Sequence, residues 1–205
     1  MTSRVLVLGA GYAGLPAAKR IARQVRRDEV DVTLVNGTAD FVERPRLHQM
    51  AVGQSVKITP LQRYLDGSGV RFVRGWVTEI DLAARLVPVA EGDESRIVPY
   101  DILVYALGSN IDVDAVPGIG KHAVSLTSVM AAEELRDRLR ALHVGRTVTV
   151  CGGGADRHRG RHRGEVAETY PSLNVRLVST TQPGHRQSEK GIAISDESST
   201  SCRSR

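Results

Sequence analysis

The chain has 205 residues, 41% of them apolar, with a formal net charge of +5. That length suits one large domain or two small ones, no apolar run approaches the ~18 residues of a membrane helix, and two cysteines, Cys151 and Cys202, exclude a disulfide framework. The charge is uneven: residues 151–205 hold 9 of the 28 basic residues but 6 of the 23 acidic ones, so the basic excess is concentrated in the C-terminal quarter.

Arg4-Val5-Leu6-Val7-Leu8 is a short apolar run that predicts a buried strand. It breaks into Gly9-Ala10-Gly11-Tyr12-Ala13-Gly14. Leu15 to Arg27 then carries apolar or small residues at Leu15, Ala18, Ile21, Ala22 and Val25, the spacing of one helix face. Pro16 falls in the first turn, where its missing N–H costs little. Strand, G-x-G-x-x-G and helix in this order form a dinucleotide fingerprint. Gly9 lets the chain turn tightly off the strand, Gly11 lets the backbone approach a pyrophosphate, and Gly14 lets the helix lie close to the strand. The phosphates would meet free N–H groups at the positive end of the helix.

Val30 to Val35 predicts the second strand, ending at Asn36-Gly37. The fingerprint has an acidic residue here, about 20 residues past the glycines, to grip ribose hydroxyls. Asn36 can bond a hydroxyl but lacks the charge that strengthens the bond. Phe41 to Gln49 is too polar for a core element and reads as a loop running into a short helix. Val70 to Val77 alternates as a strand. Ile80 to Pro88 reads as the next, followed by a turn at Glu91-Gly92-Asp93, and Ile97 to Leu107 as another, ending at Gly108. Asp112 to Gly120 is a Pro/Gly-bearing linker. Ser128 to Leu142 predicts a helix with Ser128 as its cap and Glu133 and Glu134 in the early turns. Arg146 to Cys151 is an apolar strand running into Gly152-Gly153-Gly154, and Asn174 to Ser179 is a further strand. Ser195 to Arg205 is Ser-rich and aperiodic, which predicts disorder.

Several of these pieces together resemble the FAD-dependent pyridine-nucleotide oxidoreductases, in particular the type II NADH dehydrogenase-like group. They are VLVLGAGYAGL, DFVERPRLHQMAVGQ, WVTEIDLAARLV, YDILVYALGS, VPGIG and VTVCGGG, in that order. The resemblance implies an α/β fold: a Rossmann-like FAD-binding domain, made of a parallel sheet with helices plus a small β-meander, over residues 1–115. An incomplete second Rossmann-like domain for NAD(P)H follows over 116–180, then a disordered tail over 181–205. It implies FAD with its pyrophosphate over Gly9, Gly11, Tyr12, Ala13 and Gly14, and with Asn36 near the ribose. The backbone at Val77 would meet the adenine, and Ala106 to Gly108 would pass beside the cofactor. Arg44 and Pro45 would lie toward the flavin, and Gly152 and Gly154 would receive NADH or NADPH. Hydride would pass from the nicotinamide to the flavin and on to a quinone or similar small acceptor. The two distant cysteines do not make the close pair of the disulfide-reductase branch.

Plainer roles fit some of these residues. Arg44 and Arg46 read equally as solvated surface charge, His48 as a loop or capping residue, and Tyr12 as packing beside the glycine turn. No nucleic-acid partner is expected, because no aromatic residues interleave the basic run. No transmembrane segment is expected, so membrane contact would belong to full-length relatives and be peripheral. The expected location is the cytoplasm. The chain is expected to be short for the resemblance and poorly active. Two other readings stay open: a non-catalytic nucleotide-binding fragment, and a single-cofactor NAD-linked dehydrogenase using the first glycine motif. The second glycine-rich strand end and the Tyr-Ala-Leu-Gly-Ser stretch argue against the latter.

The pattern breaks after Gly154. Ala155-Asp156-Arg157-His158-Arg159-Gly160-Arg161-His162-Arg163-Gly164 has no apolar face where a helix should begin. His158 and His162, near Cys151, lack a fourth metal ligand, so no metal is expected. Written as codons with the CGN set for arginine and read from the second base, the run can encode Leu-Thr-Gly-Ile-Glu-Ala-Ala-Thr-Glu. That continues Gly152-Gly153-Gly154 as a helix start and rejoins the frame at Val166. Residues 155–164 are thus expected to be read out of frame between two compensating indels. Sequencing the coding DNA checks this, since the arginine and histidine codons must line up to give the shifted peptide.

Overall fold

The computed structural model describes residues 2–109, 117–151, 165–178 and 191–194. In chain order the elements are β1 (Ser3–Leu8), α1 (Gly14–Gln24), β2 (Val30–Asn36), β3 (Asp40–Phe41), a 3-10 turn (Arg44–Arg46), α2 (Leu47–Ala51), β4 (Thr59–Pro60), α3 (Leu61–Leu65), β5 (Val70–Arg74), β6 (Trp76–Val77), β7 (Leu86–Glu91), β8 (Glu94–Pro99) and β9 (Ile102–Tyr105). They continue with α4 (Ile119–His122), β10 (Ala123–Val124), α5 (Val129–Ala141), β11 (Thr147–Cys151), β12 (Asn174–Val178) and β13 (Gly191–Ile194). The chain forms two units, one of residues 1–42 with 58–109 and one of residues 43–57 with 110–205.

In the first unit a parallel sheet runs β5-β2-β1-β9, with Val7 opposite Leu34 on one side and Val104 on the other. The run Val5 to Leu8 is apolar throughout because both faces of β1 are covered. Val5 and Val7 point to a cluster with Leu15, Ala18 and Ala22 of α1 and Leu61 and Leu65 of α3. Leu6 and Leu8 point the other way, against Val87, Val89 and Val98 of the antiparallel meander β6-β7-β8 and Tyr100 just after it. Each fully buried Leu or Val here contributes about 1.5–3 kcal/mol. The expected parallel sheet with helices and a meander is the fold observed.

Three strand readings need correction. Val70 to Val77 is two strands, because Gly75 sits at φ +149° and a Cβ there would crowd the Ala90 carbonyl oxygen at 2.9 Å. The strand expected over Ile80 to Pro88 begins only at Leu86. Residues 81–85 form a turn closed by Asp81 and Leu86, with Arg85 at φ +56° and the Asp81 carboxylate accepting from the Ala84 N–H at 2.8 Å. Ile97 to Leu107 is also two strands. After Pro99 the chain leaves the meander and turns into the parallel sheet, where the Asp101 N–H donates to the Arg4 carbonyl at 2.9 Å.

In the second unit the sheet order is β10-β13-β11-β12, with β11 and β12 parallel and β13 antiparallel to both its neighbours. Gly191–Ile194 therefore pair as a strand inside the stretch expected to be a tail. They alternate Ile192 and Ile194 with small residues, which suits a pleated partner. The remainder of 181–205, and the run 155–164, lie outside the described residues. α5 begins as expected, with the Ser128 hydroxyl accepting from the Ala131 N–H at 3.1 Å. It buries Ala132, Leu135 and Leu139. His48 is not a surface loop residue. It is buried on α2, 3.3 Å from the Glu165 carboxylate.

A two-ended latch closes the start of β1 on the approach to β9. Asp101 accepts from the Arg4 backbone N–H at 2.7 Å and from its guanidinium at 2.8 and 3.0 Å. These bonds hold the Asp101 carboxyl down from 3.8 to about 2. The stabilisation is complete above the ordinary carboxylate range and is lost as pH falls toward about 2. The pair is exposed, so the effect is modest. Urea midpoints of wild type and Asp101→Asn should differ at neutral pH and converge across that acid window.

Candidate functional site

The glycine loop lies at the carboxyl ends of β1, β2 and β9. The strand order reverses between β1 and β9, the place in an open parallel sheet where ligands are received. Gly9 leaves β1 at φ +94° and donates its N–H to the Val35 carbonyl at 2.8 Å. A Cβ at Gly9 would collide with the Ala106 carbonyl oxygen, and a Cβ at Gly14 with the Gly9 carbonyl oxygen. Gly11 differs, since a Cβ there would meet no atom within 4 Å. Two glycines thus let backbone meet backbone, and the third leaves open space over the loop. α1 begins there with no side-chain cap and no acidic residue in its first turn. Its N–H end is suited to an anion. Open backbone between two close approaches is the cradle a pyrophosphate needs, so the residues present fit an FAD-type cofactor.

Asn36 ends β2 beside this loop. Its side-chain oxygen accepts from the Ala10 N–H at 2.9 Å, and its side-chain nitrogen donates to the Thr38 carbonyl at 2.9 Å and hydroxyl at 3.1 Å. Asn36 therefore braces the glycine loop, a role that its place in the fingerprint does not reveal. Tyr12 stands edge-on to Phe41 with ring centroids 5.3 Å apart, and Phe41 in turn to Tyr64 at 5.5 Å. That is the packing role expected beside the turn. Ala106 donates its N–H to the Leu8 carbonyl at 2.8 Å, which sets β9 against the loop. Gly108 follows at φ +78°.

The first unit thus brings together Gly9, Gly11, Gly14, Asn36 and Ala106. Val77 lies on β6 opposite Val89 in the meander. Arg44 belongs to the second unit, exposed at the start of the 3-10 turn, while its neighbour Arg46 pairs with Glu43 at 3.4 Å and Gln49 at 2.8 Å. Gly152 and Gly154 lie outside the described residues, as do His158 and His162. Among the described residues no group of three or more His, Cys, Asp or Glu could hold a metal ion. None of the described helices is long and apolar enough to cross a membrane.

Sequence reasoning passed over one contact. Trp76, at the start of β6, lies against Gly37, where a Cβ would come within 2.6 Å of the indole. The glycine after Asn36 was the available signal, since it marks a place where something approaches the backbone closely.

A parallel sheet with helices on one face, an antiparallel meander on the other and a glycine loop at its switch point defines a Rossmann-like α/β domain. Residues 3–155 match the pyridine nucleotide-disulphide oxidoreductase family, and the chain belongs to it. Among curated relatives, the type II NADH:quinone oxidoreductase of Staphylococcus haemolyticus is 29% identical over 182 residues, which is 83% of this chain and 44% of that protein. The chain spans less than half the length of the curated relatives it matches. Among solved structures, NDH2 from Plasmodium falciparum superposes with a TM-score of 0.67 at 16% identity, over 87% of this chain and 41% of that one. The sulfide:quinone oxidoreductase of Aquifex aeolicus does so with 0.70 at 19% identity, over 87% and 43%. These structures establish the fold.

The different surroundings of Gly11 and Gly14 separate binding from stability. Gly11→Ala should leave the melting temperature of the ligand-free chain unchanged while abolishing retention of FAD. Gly14→Ala should cost about 1–3 kcal/mol or more by overpacking, read as a lowered denaturation midpoint without any ligand.

Proposed function

We propose that this chain is the nucleotide-binding part of an FAD-dependent NAD(P)H oxidoreductase of the type II NADH:quinone oxidoreductase kind. The observation that carries the reading is the open backbone over Gly11, framed by the close approaches at Gly9 and Gly14. In this reading Gly9, Gly11, Tyr12, Ala13 and Gly14 receive the pyrophosphate of FAD. Asn36 holds the loop in shape from below, and Val77, Ala106 and Gly108 border the cofactor. Arg44 serves its flavin end, and Gly152 and Gly154 receive NADH or NADPH. When bound, FAD supplies the hydride acceptance from the nicotinamide and the electron transfer onward to a quinone-like acceptor. The protein's share is position: a rigid loop end, a helix terminus aimed at the phosphates, and a sheet edge that fixes the cofactor's path.

Residues 1–115 would then be the FAD-binding portion and 116–180 a partial NAD(P)H-binding portion, working in the cytoplasm. The match to the family ends at residue 155, where the Arg/His/Gly run begins. With like charges crowded along it and glycines within it, that run is a poor start for the helix that the second glycine turn requires. Turnover should therefore be low.

Purified chain incubated with FAD and passed through a desalting column should retain a visible flavin spectrum. Anaerobic NADH should bleach that spectrum slowly or not at all. Loss of all flavin on the column overturns the first-site assignment, and rapid NADH-dependent reduction of a soluble quinone overturns the expectation of low turnover.

A further inference from the structure

The adenosine end of the first site lacks the usual carboxylate, and its substitute is already engaged. Both polar atoms of the Asn36 amide are bonded within the fold, to Ala10 and to Thr38. Beside it stands an aromatic ring with an unexplained exposure. Trp76 is the chain's single tryptophan, and it is 66% exposed although it begins a strand of the meander. Its position is fixed from two sides. The Gly75 N–H donates to the Asn36 carbonyl at 2.9 Å, which ties the start of β6 to the end of β2. The indole's six-membered ring rests on Gly37, where a Cβ would come within 2.6 Å of it. Gly37 covers part of the six-membered ring, and most of the side chain remains exposed. A flat apolar surface at the carboxyl end of β2, next to the phosphate loop, is where the base of a dinucleotide would lie.

We propose that Trp76 is the platform on which the adenine of the first nucleotide stacks. The adenosine is then held here by its base rather than by an acidic grip on its ribose. This rests on the reading of the Gly9–Gly14 loop as a nucleotide site, and it adds a specificity-determining side chain which that reading does not contain. Aromatic stacking suits this task because every purine offers a π-face, and a pre-positioned ring loses little freedom on binding. Gly37 belongs to the same device, since any larger residue would lift the indole from its seat.

The single tryptophan makes the test direct. The full chain is titrated with ADP, which carries no flavin to absorb the emission, and tryptophan fluorescence is followed alongside equilibrium dialysis. ADP should quench the emission with the same saturation curve that dialysis gives. Trp76→Leu should bind ADP roughly tenfold more weakly, and Trp76→Phe should recover most of the loss. ADP binding with unchanged emission, or with equal affinity in Trp76→Leu, overturns the platform while leaving the nucleotide site standing. No ADP binding in wild type overturns both. Should the leucine variant fail to fold, the wild-type emission curve decides.

Discussion

The first unit depends on how closely its backbone segments approach one another at the head of β1. Gly9 lies against the Ala106 carbonyl, and Gly14 lies against the Gly9 carbonyl. Three segments of chain, around the end of β1, the start of α1 and the end of β9, therefore meet with only the Ala106 methyl among them. Van der Waals contact at such distances leaves no slack, so the loop has one shape. The open surface over Gly11 follows from that shape, because Gly11 is left uncovered only while its two partners are held in place.

Asn36 extends the same constraint sideways. It joins the end of β2 to the loop through Ala10 and to its own following turn through Thr38. An acidic residue here could accept the Ala10 bond but could not also donate to Thr38. Asparagine thus gives the loop a firmer brace and gives up the charge that would attract ribose hydroxyls. The loop is thus fixed in shape, and the uncapped start of α1 beside it carries the positive end of the helix dipole.

Much of this was legible in the sequence, and the limits have physical causes. Strand, glycine turn and helix announced themselves because hydrophobic period and glycine placement are local properties. Ser128 was readable as a cap for the same reason. The extent of β7 was not, since Asp81 to Arg85 carries no glycine, proline or asparagine and turns only with Arg85 at positive φ. The break at Tyr100-Asp101 was hidden because the residues on either side of it, Ile97-Val98-Pro99 and Ile102 to Tyr105, are apolar, and a change of sheet leaves no period of its own. Burial of His48 against Glu165 joins distant positions in one unit. A polar stretch around His48 gives no hint of such a partner. Asn36 was visible as a departure from the fingerprint, but its hydrogen bonds are a matter of tertiary geometry.

β1 sits at the centre of its sheet, yet its two neighbours come from opposite ends of the unit. β2 follows after a single helix, whereas β9 arrives after the whole meander, and the latch at Arg4 joins positions 97 residues apart. Closing a loop of that length is the entropically slow step of such a sheet. On a growing chain, β1, α1 and β2 can assemble with the glycine loop already turned while Ala106 has yet to be made. The Ala106 side of the glycine loop is therefore laid last. Any cofactor that waits for a finished cradle binds only after the unit has closed, so its capture reports completion of folding.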